Sequence, residues 1–225
     1  MHKYQIVLFS LIACLVGTKA IAEPIEDCGS LATFSTDYRT ATPDQKHLVE
    51  SAHFTPQVET LRRGASSSVG EDLNFTLRTY PNHHRALMAM MNLSFKQKLD
   101  KPNGAAFTVE CYFDRAIRFR PDDEMVRLVH GIYLLKKGKG PAAIKEFELA
   151  RKDNENNANL IYNLGLAYFE TKNYEQSLAF AHEAYRLGYP LDGLRRKLVA
   201  VGKWREPVIL AKPEGNTPEL GGDQK

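Results

Sequence analysis

The sequence predicts an all-α fold in which antiparallel helix pairs stack into a right-handed superhelix behind an irregular N-terminal segment. Three observations lead there. From about residue 69 to residue 204, apolar side chains recur at spacings of three and four, the period of a single helix face. Within that stretch the pattern returns every 34 residues. Small side chains also recur once per helix pair, where two helix backbones must approach closely.

Residues 1–22 read as a secretory signal. His2 and Lys3 make a basic start, residues 4–16 are mostly apolar apart from Gln5 and Ser10, and Ala20-Ile21-Ala22 supplies the small residues a signal peptidase requires before Glu23. The apolar run is short for a bilayer span and no second one follows, so no membrane span is expected in the mature chain. The expected address is the periplasm. Leu11-Ile12-Ala13-Cys14 also matches a bacterial lipobox, which leaves lipidation at Cys14 as the alternative to cleavage. Cleavage after Ala22 removes Lys3 and Lys19 and no acid, so the formal charge falls from +3 to +1. A chain so close to neutrality has no net electrostatic drive toward nucleic acid or anionic lipid.

Residues 23–68 carry Pro24, Pro43, Pro56, Gly29, Gly64 and the run Ser66-Ser67-Ser68 without sustained periodicity. They predict an irregular segment packed on the repeats, with short helical pieces at 44–52 and 55–61. Cys28 and Cys111 are the two cysteines left after cleavage. An even count in an oxidising compartment favours a disulfide between them, with two separately buried thiols as the alternative. Neither lies in a recognisable nucleophile motif.

Residues 69–205 form the predicted repeat domain, with helices at 69–80, 82–98, 126–137 and 159–170 among its members. Gly131 and Gly165 are 34 apart, as are Leu134 and Tyr168, Ala143 and Ser177, and Ala150 and Ala184. Gly131 is expected against Ala143 and Gly165 against Ser177, where paired helices cross. Leu134, Phe147, Leu164, Tyr168 and Leu178 fill the remaining space, and Ala150 and Ala184 leave room for the next pair. Leu191, Leu194, Leu198 and Val201 predict a final helix that caps the array, since a terminal repeat otherwise leaves an apolar face in water. Residues 206–225, with Pro207, Pro213 and Pro218 among glycines, read as a disordered tail.

On these residues the chain resembles the tetratricopeptide repeat family, strongly over 107–190 and weakly before that. Gly131, Leu134, Ala143, Phe147 and Ala150 match one repeat; Leu164, Gly165, Tyr168, Ser177 and Ala184 match the next, with Pro190 one position late. Phe113, Ala116 and Pro121 match the end of an earlier repeat. Pro81 and Pro121 are 40 apart, which puts six extra residues in the turn at 100–106, and Met91 takes a small-residue position. The blocks Tyr80-Pro81-Asn82-His83-His84-Arg85-Ala86-Leu87, Val109-Glu110-Cys111-Tyr112-Phe113-Asp114-Arg115-Ala116 and Gly188-Tyr189-Pro190-Leu191 are similar to small exported proteobacterial repeat proteins, a likeness that brings no activity with it.

The resemblance implies a non-enzymatic scaffold that binds another protein or a peptide segment on a concave face lined by the first helix of each repeat. Its groove positions fall on Met88, Asn92 and Phe95, then Met125, Val129, Ile132 and Lys136, then Asn159, Tyr162, Asn163, Leu166, Phe169 and Glu170. Apolar and amide groups in that mixture suit an extended peptide or a helix. The N-terminal segment or capping helix filling the groove is the alternative at that surface. The alternative functions are a structural subunit of an envelope assembly, packing through its convex face, and an enzyme with a site between the N-terminal segment and the repeats. A lysine and asparagine clamp for carboxylates is not expected: Asn92 matches one clamp position, but Met88, Val129 and Asn163 stand where the pattern has lysine, asparagine and a basic residue.

No catalytic residue, metal ligand or cofactor is expected. The sequence has no phosphate-cradling glycine loop, no Cys-x-x-Cys-His, no His-Glu-x-x-His and no Gly-x-Ser-x-Gly. His83 and His84 are adjacent, so on a helix they point about 100 degrees apart and do not converge on one ion. They are expected in a first helical turn capped by Asn82. His130 is expected to be packed or solvated, and Glu110 and Asp114 to be solvated.

Overall fold

A computed structural model describes residues 27–207 except Asp153; the signal segment, Cys14 and the tail beyond residue 207 lie outside the described residues. Ten α-helices follow one another: α1 (Pro43–His53), α2 (Pro56–Glu59), α3 (Val69–Thr79), α4 (His84–Gln97), α5 (Val109–Phe119), α6 (Glu124–Lys136), α7 (Gly140–Arg151), α8 (Ala158–Glu170), α9 (Tyr174–Arg186) and α10 (Gly193–Ala200). Among the described residues there is no strand. No helix among them is long and apolar enough to cross a membrane.

Short polar side chains set where most helices begin. Thr42 and Ser68 make reciprocal capping boxes with Gln45 and Glu71, so two otherwise orphaned amides are satisfied at each start. Thr108, Asp123, Asn157 and Asn173 cap α5, α6, α8 and α9 through their side-chain oxygens. Asn82 does not cap α4 as expected. His83 does, accepting the amide of Ala86 on Nδ1 at 3.3 Å. Asn82 is buried instead and ties three elements together: its Nδ2 donates to Asp37 Oδ1 at 2.7 Å and Asp123 Oδ2 at 2.8 Å, while its Oδ1 accepts the amide of Tyr38 at 2.9 Å.

The helix boundaries keep the internal period. α6 and α8 begin 34 residues apart, and so do α7 and α9. α3 and α5 begin 40 apart, as do α4 and α6, because the inserted residues fall in the α4–α5 connection. That insertion folds back on the start of α3. The Asn103 carbonyl lies so close to Gly70 that an added Cβ would sit 1.9 Å from it, and Tyr112 pins the loop by accepting the Ala106 amide and donating to Asn74.

α6 packs along α7 and α8 along α9, each pair joined by a short turn, and α7 packs on α8. Ala143, Ala150 and Ala184 are completely buried. Gly165 faces Ser177 as expected, with Ser177 Oγ donating to the Gly165 carbonyl at 2.9 Å. Gly131 meets Phe147: a Cβ there would lie 2.4 Å from the ring, so the glycine makes room for that aromatic side chain of α7.

At the N-terminal end α1 packs on α3, and the chain ahead of it is tied down by a Cys28–Cys111 disulfide. At the C-terminal end α10 lies against α8 and α9. Leu194 and Leu198 are fully buried there, whereas Leu191 and Val201, expected on the same apolar stripe, flank the short helix and stay exposed.

Candidate functional site

Stripes on successive helices build a cleft of about 300 Å³ between α4, α6 and the start of α8. Met88 and Asn92 lie four residues apart on α4, and Met125, Val129 and Ile132 follow at helical spacing on α6, so each set shares one face. Asn159 closes the far side from α8. Methionine and isoleucine give the floor an adaptable apolar character, and the carboxamides bring donors and acceptors to it. Of the residues ahead of α3, only Glu59 is among the lining residues, so α2 forms one wall and does not fill the cleft.

That wall was not legible from the repeat pattern. Arg85 pairs with both oxygens of Glu59 and lies 5.4 Å from the centre of the Phe54 ring, joining α2 to α4. The Arg85 guanidinium holds the Glu59 carboxyl below its ordinary range. His84 also lines the cleft; burial, with Arg85 and Lys46 nearby, outweighs Asp123 and pushes its pKa down, which favours the neutral ring.

The remaining expected residues divide into two groups. Phe95 and Lys136 continue the stripes of α4 and α6 past the cleft, with the Lys136 ammonium 5.6 Å above the Phe95 ring. Asn163, one turn beyond Asn159, donates to its carbonyl and side-chain oxygens at 2.8 and 2.9 Å. Leu166 is half-buried against the core. Tyr162, Phe169 and Glu170 are engaged by C-terminal elements instead of the cleft. Tyr162 stacks on Tyr189 at 4.0 Å and its hydroxyl accepts the Leu194 amide at 3.1 Å, while Lys197 of α10 sits 5.1 Å over the Phe169 ring and pairs with Glu170 at 3.1 Å. The capping helix thus takes over the last part of the face.

A second polar cluster joins α5, α6 and α7. His130 is buried, stacks on Phe113 at 4.8 Å, and lies 3.4 Å from Glu110 and 3.8 Å from Glu146. Arg127 holds Glu146 from the other side at 3.0 Å. Burial disfavours the imidazolium, but the two carboxylates outweigh it and raise the pKa of His130. Glu110 is therefore an ion-pair partner and not merely a solvated acid. Among the described residues no group of three or more His, Cys, Asp or Glu side chains is arranged to hold a metal ion.

No family model matches this chain, and no curated protein does. The functional reading accordingly rests on the cleft itself: an open apolar floor, two amide side chains and a charged pair at one wall.

Proposed function

We propose that the protein is an exported scaffold of the tetratricopeptide type, whose concave face holds a segment of another envelope protein. The observation that carries this reading is the cleft shared by Met88, Asn92, Met125, Ile132 and Asn159, side chains from three alternate helices that begin 40 and 34 residues apart. In the proposed right-handed superhelix, α4, α6 and α8 are the inner helices and α5, α7 and α9 the outer ones. An extended or helical segment seats apolar side chains on the methionines and Ile132, and its polar groups pair with the amides of Asn92 and Asn159. The Cys28–Cys111 disulfide supports a periplasmic address, because such a bond persists in an oxidising compartment.

Substituting Met125→Glu together with Ile132→Lys places charges on the apolar floor without touching a fully buried side chain. Partner capture from envelope fractions is expected to fall by about tenfold or more, with helix content unchanged by circular dichroism. Capture equal to that of the unsubstituted protein would count against the groove.

A further inference from the structure

Residues 27–36 cross the ends of α3 and α5 as a strap that buries none of its own side chains. Its one aromatic residue, Phe34, is 54 % exposed. Beside the Cys28–Cys111 bond, a set of polar contacts holds it. Arg115 Nη1 donates to the carbonyls of Cys28 and Ser30 at 2.9 and 2.7 Å, and Arg118 Nη2 donates to that of Gly29 at 3.0 Å. Ser35 Oγ donates to the Arg78 carbonyl at 3.0 Å, and the Thr36 amide to that of Thr79 at 2.8 Å. From Asp37 onward the attachment changes in kind. Asp37 is buried between Asn82 and Arg120, each at 2.7 Å, and Tyr38 stacks on His83 at 3.8 Å. The boundary between loose and firm attachment falls between residues 36 and 37.

Beside the strap lie three guanidinium groups, of which Arg115 is buried while Arg78 and Arg118 are exposed, with the carboxylates of Asp27, Glu110 and Asp114 on the same surface. Arg118 pairs with Asp114 at 2.7 Å. Arg115 is 3 % exposed, and among the described residues its partners are the two strap carbonyls and the Phe107 ring at 4.6 Å, with no carboxylate. Arg78 lies 5.7 Å from the Phe34 ring. Burial, with the neighbouring Arg118 and Arg78, outweighs Tyr112 and Asp114 and disfavours the charge on Arg115. Neutral carbonyls are weaker acceptors for a buried guanidinium than carboxylates are, so Arg115 itself is under-neutralised as it stands.

We propose that the strap is a redox-released cover over an anion-reading surface formed by Arg78, Arg115 and Arg118, and that the ligand of this surface is an acidic, extended peptide segment. Carboxylates of such a segment replace the carbonyls of Cys28 and Ser30, and its backbone amides replace that of Thr36 at the end of α3. Release needs a two-electron reductant of the disulfide, such as a dithiol. One of its thiolates attacks Sγ of Cys28, which is half-buried, while Cys111 is fully buried. The S–S bond breaks, Cys111 leaves as a thiolate and takes up a proton, and the reductant's second thiolate then displaces Cys28. The reductant ends as a disulfide and the two cysteines as thiols. This surface is on α3 and α5, apart from the groove, so it stands or falls independently of the scaffold reading.

The test compares the oxidised full chain with the same chain after reduction by a phosphine and with Cys28→Ser. Hydrogen exchange at residues 27–36 is expected to accelerate by about tenfold or more in both reduced forms, with the amides of α6 to α9 unchanged. A short fluorescent peptide of alternating glutamate and glycine is expected to bind only the reduced forms, more weakly as salt rises. Arg78→Gln with Arg118→Gln should weaken that binding by about tenfold. Equal protection of the strap in both redox states overturns the proposal. So does unfolding of the whole chain on reduction, peptide binding that ignores the redox state, or binding that ignores Arg78 and Arg118.

Discussion

His83 shows how one side chain couples a helix start to pH. Its Nδ1 accepts the Ala86 amide, so the cap exists only while that nitrogen carries no proton, and its Nε2 lies 3.2 Å from Glu50. Burial, with His84, Arg85 and Lys46 around it, lowers its pKa from 6.5 to about 3. Between those values the unfolded chain binds a proton that the folded chain does not, so stability falls as the pH drops through this window. Above pH 6.5 the group adds no pH dependence. His130 has the opposite sign: its raised pKa gives stability that is lost as the pH rises through the folded value. Asp37 and Asp72, with lowered pKa values, act in the same direction as His83 but below their ordinary value of 3.8. Urea unfolding at pH 7.5 and pH 4.5 separates the contributions. His83→Asn keeps a capping acceptor and cannot titrate, so its loss of stability between the two pH values should be smaller than the unsubstituted protein's by on the order of 2 kcal/mol. An identical loss in both would remove His83 from the account.

At the scale of helices, the α6–α7 crossing is decided by Gly131 and Phe147. Alanine is the better helix former by about 1 kcal/mol. Against that, its Cβ would stand 2.4 Å from a completely buried ring, and overpacking of this kind costs about 1–3 kcal/mol. The steric effect should win: Gly131→Ala lowers the urea midpoint, and adding Phe147→Leu restores part of it. A midpoint that rises in the single variant would show that the ring moves aside freely. This crossing also marks what the sequence could and could not convey. The 34-residue spacing located α6 to α9 because small residues at fixed intervals are a direct record of backbone approach. It did not reveal that Phe147 packs closest to Gly131, since the periodicity is the same whichever side chain of α7 does. The start of α4 was read two residues early because histidine is an uncommon cap, while Asn82, a common one, has its amide committed to Asp37 and Asp123.

Across the whole molecule, α4, α6 and α8 contribute to one face and the two ends decide how much of it stays open. The residues of α4 and α6 were expected on one face through the family resemblance, and Met88 with Asn92, and Met125 with Val129 and Ile132, do share a helix face. Tyr162, Phe169 and Glu170 were expected there on the same resemblance, but α10 folds onto them, and the place where a capping helix docks is a tertiary outcome that spacing does not encode. The contribution of Glu59 and Arg85 was hidden for a similar reason: α2 is four residues long, too short to carry a period. The open part of the face is therefore centred on α4 and α6, with Asn159 at its edge. Photoreactive residues placed at Asn92 and Ile132, and as controls at the exposed Lys145 and Gln176 of α7 and α9, test that conclusion in intact cells. The same polypeptide should be crosslinked from both groove positions and from neither control, as identified by mass spectrometry. Capture from Lys145 or Gln176 with none from the groove would contradict it.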